Sequence, residues 1–186
     1  MKKIVILFSG KGTNLQNLIE KLHKKKCIVA AAITNRPDAE GIAKAKAHGI
    51  PVEVIDHTRF ESREAFDTEL VKRINAYAPD LVVMAGFMRI VTSVFTDNVH
   101  AINLHPSLLP LFKGGNAIEE NFESGETRGG VSVHWVSGDL DGGRIIAQQA
   151  VEKSPDETLE SFAEKIHALE YDLLPETITR LLNEGE

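Results

Sequence analysis

With a single cysteine, Cys27, the 186-residue chain has no means of forming an internal disulfide or a thiolate metal cluster, which favours a reducing compartment. Positive charge is in short supply too. Lys and Arg number 21 against 27 Asp and Glu, the formal net charge is -6, and the basic residues are scattered. A stable footprint on nucleic acid or another polyanion has little to rest on. No apolar run is long: the first, Ile4 to Phe8, is preceded by Met1-Lys2-Lys3 and interrupted by Ser9-Gly10, too short for a signal-peptide core or a membrane span. A cytoplasmic protein with no nucleic-acid or membrane partner is expected. Repeats, low-complexity tracts and linkers are also missing. A chain of this length suits one domain, because folding at this size buries roughly 70% of the unfolded surface.

What is present alternates. Ile4 to Phe8 has the unbroken pattern of a strand buried on both faces, and Leu15, Leu18, Ile19 and Leu22 then recur at helical spacing. Ile28 to Ile33 reads as a strand, Glu40 to His48 as a helix closed by Gly49, and Val52 to Ile55 as a strand. Phe66, Leu70 and Ile74 mark a helix face that must end before Pro79. Leu81 to Ala85 and Ala101 to Leu104 supply two more strands. This order implies right-handed crossovers and an open, mostly parallel sheet with helices on both faces. Val131 to Val136 and Ile145 to Val151 leave no room for a crossover helix between them, so they predict an antiparallel or mixed pair. A long last helix is expected to start at Ser154-Pro155-Asp156-Glu157, with the serine as its cap, and to kink or restart at Pro175. The fold class is therefore α/β, a single domain over residues 1–186.

Three clusters carry chemistry. Ser9-Gly10-Lys11-Gly12-Thr13-Asn14 lies between the first strand and first helix, where backbone amides can converge on an anion at the positive end of a helix. It lacks the Gly-Lys-Ser/Thr ending of a nucleoside triphosphate loop and the third glycine of a dinucleotide fingerprint, and a plain turn capped by Thr13 or Asn14 is the competing reading. Asn103 and His105 fall at the carboxyl end of the fifth strand, where open parallel sheets bind their ligands. An amide donor two residues from an imidazole can stabilise an oxyanion and move a proton. Ser137-Gly138-Asp139-Leu140-Asp141-Gly142-Gly143 can fold tightly enough for Asp141 to reach that imidazole, and a neighbouring carboxylate favours its protonated form. His23, His48, His57, His100, His134 and His167 show no metal-ligand spacing and receive no role.

Asn103-Leu104-His105-Pro106-Ser107-Leu108-Leu109-Pro110 followed by Asp139-Leu140-Asp141-Gly142-Gly143 resembles the signature of the 10-formyltetrahydrofolate-dependent formyltransferases. Within that family, Ser9 to Leu15, Tyr77 to Asp80 and Ala85 to Ile90 are similar to the branch that formylates glycinamide ribonucleotide in purine biosynthesis, and the likeness runs from Lys3 to about Leu182. The resemblance implies a Rossmann-like fold and a ribonucleotide-binding half, 1–100, with a catalytic and folate-binding half, 101–186. It implies that Gly12, Thr13 and Asn14 hold the ribonucleotide phosphate, that Glu170 approaches the substrate amine, and that Asn103, His105 and Asp141 are catalytic. Arg63, Met88, Arg89, Ile90 and Val91, with Asn103, Ser137, Gly138, Asp139, Leu140 and Asp141, would line the folate site. The co-substrate would be 10-formyltetrahydrofolate, with no metal, and the chain a monomer or weak homodimer.

Phe112-Lys113-Gly114-Gly115-Asn116 departs from the family pattern, where many members carry Pro-Gly and two histidines in a mobile loop, and the glycine pair predicts a more flexible cover. Two related activities compete. Formyl transfer to methionyl-tRNA and hydrolysis of the same folate use similar motifs, but those enzymes resemble this chain beside an additional RNA-binding or regulatory domain that 186 residues do not supply. A nucleotide-binding module using only the Gly12 loop would leave Asn103, His105 and Asp141 unexplained.

Overall fold

The computed structural model describes residues 1–185. At its centre β1 (Lys3–Phe8) pairs in parallel with β2 (Ile28–Thr34) on one side and β4 (Leu81–Met84) on the other. Ile4 to Phe8 are wholly inaccessible. Their side chains divide by alternation, Ile4, Ile6 and Phe8 into one core and Val5 and Leu7 into the other, which is why the run is unbroken in the sequence. With β3 (Val52–Val54), β5 (Ala101–His105), β6 (Arg128–Trp135) and β7 (Ile145–Glu152), the sheet has the order β3-β2-β1-β4-β5-β6-β7. The first five strands are parallel, while β6 runs antiparallel to both β5 and β7, as the missing crossover required.

The chain moves outward from β1 to β3 and then returns to place β4 on the other side of β1. That reversal opens a crevice beyond the carboxyl ends of β1 and β4. Helices cover both faces. Leu15, Leu18, Ile19 and Leu22 of α1 (Thr13–Leu22) share a core with α2 (Gly41–Ala47), α5 (Ala117–Glu123) and α6 (Leu159–Glu184). Phe66, Leu70 and Ile74 of α3 (Arg63–Ala76) pack with Phe95 of α4 (Ser93–Thr96) on the opposite face. The Ser62 side chain caps α3 at the Ala65 amide, and the helix ends three residues before Pro79.

The last helix corrects one expectation and narrows another. Its cap is Thr158, whose side chain accepts from the Ser161 amide while the Ser161 hydroxyl accepts from the Thr158 amide. Ser154 instead closes a separate turn, because the Glu157 carboxylate takes the Ser154 amide and the Glu157 amide reaches the Ser154 carbonyl. Nor does the helix restart at Pro175: it is continuous from Leu159 to Glu184. Proline withholds the amide that the Tyr171 carbonyl needs, and that carbonyl is met from α1 by Asn17 Nδ2 at 2.9 Å and Lys21 Nζ at 2.6 Å. The proline thus turns an orphaned acceptor into a tie between two helices. Asn17→Ala is expected to cost about 1 kcal/mol, and less in a Pro175→Ala background, where the Tyr171 carbonyl regains an intrahelical donor. Urea denaturation of the four proteins of that cycle measures the difference; strict additivity would contradict the tie.

Candidate active site

At the end of β1 the chain must turn sharply into α1, and Gly12 makes the turn with φ +72°. A Cβ there would lie 2.6 Å from the Gly41 Cα, so conformation and space both require glycine. Gly12 is the N-cap residue and supplies no side-chain hydrogen bond, and neither Thr13 nor Asn14 acts as the cap. Among the described residues no acceptor meets the amides of Gly12, Thr13 or Asn14. Asn14 Oδ1 is buried without a partner. These groups line a cleft of about 240 Å³ together with Lys11, Arg36, Gly86 and Met88. Free amides at a helix start beside two cations make an anion site.

The second cluster assembles at the ends of β5 and β6. His105 is the last residue of β5, and its Nε2 lies 2.8 Å from the Phe112 carbonyl, an acceptor only, so Nε2 carries a hydrogen. Its Nδ1 lies 3.5 Å from Asp141 Oδ2. His105 thus faces an acceptor at each of its ring nitrogens. Asp141 reaches it from the loop after β6 with φ +51°, in the left-handed region that aspartate tolerates better than most residues. Gly143 makes that loop possible, since a Cβ there would collide with the Trp135 carbonyl. The same Asp141 Oδ2 accepts from the Gly114 amide at 2.9 Å. Burial alone would push the Asp141 carboxyl up. The hydrogen bond from the Gly114 amide and the neighbouring His105 outweigh it and hold the carboxyl below the usual carboxylate range.

Asn103 stands in cross-strand register with His134, and its Nδ2 lies 3.1 Å from His134 Nε2. His134 Nδ1 donates to the Trp135 carbonyl at 3.0 Å, so Nε2 is the accepting nitrogen and fixes the Asn103 amide. One Asn103 N–H is thereby used, and the other is available to a ligand. His134 is 3% exposed and its Nε2 is 3.7 Å from Asp141 Oδ1, which places it inside the cluster although its spacing in the chain assigned it no role. Its signal is the pairing of β6 with β5, which spacing along the chain does not reveal.

Two joined clefts open over these groups. One, about 320 Å³, is lined by Met84, Gly86 to Ile90, Asn103, His105 and Asp141, with Gly114 and Gly115 at its cover. The other is a narrow slot of about 50 Å³ bounded by Arg89 to Val91, His134, Val136 and the whole of Ser137 to Asp141. The structure therefore brings together Met88, Arg89, Ile90, Val91, Asn103, Ser137, Gly138, Asp139, Leu140 and Asp141, and adds Met84, Phe87 and Val136. Met88, Ile90 and Leu140 are exposed, an apolar wall without a protein partner. Arg63 does not line either cleft, but its Nη1 lies 3.3 Å from the Ile90 carbonyl. Arg89 Nε is buried without a partner, and its guanidinium stands 4.9 Å from the centre of the Phe66 ring. The expected flexibility of the Gly114-Gly115 cover meets a contrary feature: the backbone on either side of Lys113 is tied to His105 and Asp141.

Glu170 is not in either cleft. It is 6% exposed on α6 and its Oε1 lies 2.6 Å from His167 Nδ1. Hydrogen bonding to Glu170 raises the His167 imidazole against the opposing effect of burial. A raised histidine contributes stability that is complete below its unfolded value, about 6.5, and is lost as pH climbs through the folded one. Asp141, with a lowered carboxyl, contributes above the ordinary carboxylate range and loses its contribution as pH falls through the lowered value. His167→Gln is accordingly expected to flatten the decline of stability above about pH 6.5 while leaving the acid limb in place. Thermal melts across pH check this, and an unaltered alkaline limb would contradict it.

The chain matches the family model described as formyl transferase over residues 2–178. It is 38% identical over 180 residues to the phosphoribosylglycinamide formyltransferase of Escherichia coli, covering 95% of this chain and 85% of that one. It is 37% identical to part of the trifunctional purine biosynthetic protein adenosine-3 of Bos taurus, of which it spans 18%. The crystal structure of phosphoribosylglycinamide formyltransferase from Campylobacter jejuni superposes with a TM-score of 0.95 at 50% identity, covering 97% of each chain.

Proposed function

The chain belongs to the formyl transferase family, and from that premise we propose that it transfers the formyl group of 10-formyltetrahydrofolate to the amine of glycinamide ribonucleotide in purine biosynthesis. One observation carries the reading at residue level: Asn103, His105 and Asp141 converge where an anion-binding cleft meets an apolar one, the two sharing Gly86 and Met88. The ribonucleotide phosphate sits on the amides of Gly12, Thr13 and Asn14, with Arg36 beside them. The folate ring lies against Met88 to Val91 and the Ser137 to Asp141 loop, an apolar slot with a few fixed polar groups. Arg63, beside Ile90, serves the acidic end of the folate. The catalytic trio belongs to 101–186 and the phosphate loop to 1–100, while the folate wall draws on both. Small molecules are its partners and the cytoplasm its compartment; among the described residues no helix is long and apolar enough to cross a membrane.

The amine nitrogen bonds to the formyl carbon while the carbonyl π pair moves onto oxygen. The remaining Asn103 N–H stabilises that oxyanion from a fixed position in a partly dry cleft, and His105 joins it once its Nε2–H turns from the Phe112 carbonyl to the developing charge. On collapse the bond from carbon to the folate nitrogen breaks. The amine gives up one proton and the folate nitrogen takes one, with Asp141 beside His105 holding the water or imidazole that relays it. Cys27 takes no part as a nucleophile, since burial pushes its thiol up to about 11.

Following the absorbance of 10-formyltetrahydrofolate with and without glycinamide ribonucleotide tests the assignment. Turnover that requires the ribonucleotide is expected, whereas ribonucleotide-independent turnover would place the chain with the hydrolases. A folate analogue is also expected to protect amides at 88–91 and 137–141 from hydrogen exchange. Protection confined to α1 would put the folate elsewhere.

A further inference from the structure

Ser9 opens the phosphate loop and borders its cleft, while its hydroxyl is bonded to Asn35 and Met88. It is 4% exposed, and from the end of β1 it binds the segment after β4 and the residue after β2. Its amide donates to the Gly86 carbonyl at 3.0 Å, and its hydroxyl oxygen accepts from the Met88 amide at 2.8 Å. Because that oxygen is accepting, its hydrogen is free to be donated, and Asn35 Oδ1 lies 2.6 Å away at the end of β2. Asn35 is 2% exposed, and His57 Nδ1 lies 3.1 Å from both its Nδ2 and its backbone carbonyl. The polarity runs one way, from the Met88 N–H through the Ser9 O–H to the Asn35 side-chain oxygen, so the first bond orients the second.

The ends of this chain lie in different places. Met88 borders both clefts, and Gly86, fixed by the Ser9 amide, borders both as well. Asn35 directly precedes Arg36, which lines the anion cleft. A shift of the loop when it takes a phosphate therefore acts through one buried hydroxyl on the segment that forms the folate wall. We propose that Ser9 is a positioning residue that couples the two clefts, so that occupancy of the phosphate loop presets Met88 for the folate and occupancy of the folate wall presets the loop. The inference rests on the proposed formyl transfer for the identity of the two ligands.

Coupling is measured with glycinamide ribonucleotide and a folate analogue lacking the formyl group, by calorimetric titration of each in the absence and presence of the other. In the unaltered protein each ligand tightens the other by the same factor, about 5-fold or more, since coupling between two sites is reciprocal. Ser9→Ala removes the link, and the factor falls close to one, with both substrates' KM values becoming independent of the other's concentration. Asn35→Asp keeps an acceptor for the hydroxyl and retains the coupling. If Ser9→Ala does not fold, Asn35→Ala reads the same link by depriving the hydroxyl of the partner that orients it, and its factor falls. Undiminished coupling in folded Ser9→Ala, or independent binding in the unaltered protein, overturns the inference. Failure of the formyl-transfer reading looks different: the unaltered protein then fails to bind one ligand or shows no ribonucleotide-dependent turnover.

Discussion

Asp141→Asn is expected to leave a folded protein that binds both substrates and transfers the formyl group on the order of 10²-fold to 10⁴-fold more slowly, the usual cost of losing an acid-base function. Asparagine can still accept from the Gly114 amide, so the cover segment keeps its tie. What it loses is the negative charge 3.5 Å from His105 Nδ1, and with it the carboxylate that faces the imidazole beside the reacting carbon. His105→Ala removes the other half of the same unit. Groups that act as one unit are non-additive, so the double variant is expected to be little slower than the slower single one. Single-turnover rates decide the matter, because they isolate chemistry from product release. Near-normal rates in Asp141→Asn, or multiplicative losses in the double variant, would remove Asp141 from the mechanism.

Gly12→Val strikes a different step. The φ of +72° is one that a β-branched residue avoids, and the 2.6 Å approach to the Gly41 Cα leaves no space for a Cβ. The loop must shift, and the amides of Gly12, Thr13 and Asn14 lose their common aim. Each charge-assisted hydrogen bond lost is worth about 1.5–3 kcal/mol, so the KM for the ribonucleotide is expected to rise at least about tenfold, with the folate KM far less affected. Initial rates with each substrate varied in turn measure both. Because the strain also lowers stability, melting is followed in parallel. Equal rises in the two KM values would contradict phosphate binding at this loop.

The parts of the fold legible in the sequence are those set by local pattern. Ile4 to Phe8 reads as a doubly buried strand because both faces of β1 are covered, and α3 ends before Pro79 because proline restricts the residue ahead of it. The α6 start was displaced from Ser154 to Thr158, since two serine or threonine caps of similar strength lie four residues apart and the Glu157 side chain commits the first to its own turn. Asn103, His105 and Asp141 stood out by residue type and strand-end position. His134 did not, because its place beside Asn103 depends on the antiparallel register of β5 and β6. The Phe112 carbonyl and Gly114 amide were equally hidden: backbone groups belong to every residue, and only the folded loop selects the two that meet His105 and Asp141. Ser9 was visible as part of a glycine-rich loop, but its buried side of the loop was not.

The most direct test of the central claim follows the transferred carbon itself. With isotopically labelled formyl on the folate, equimolar glycinamide ribonucleotide and catalytic protein, nuclear magnetic resonance reads where the label goes. Its appearance in an amide of the ribonucleotide, with Asp141→Asn forming the same product more slowly, is the predicted result. Label accumulating as free formate, or remaining on the folate while the ribonucleotide is bound, would contradict the account.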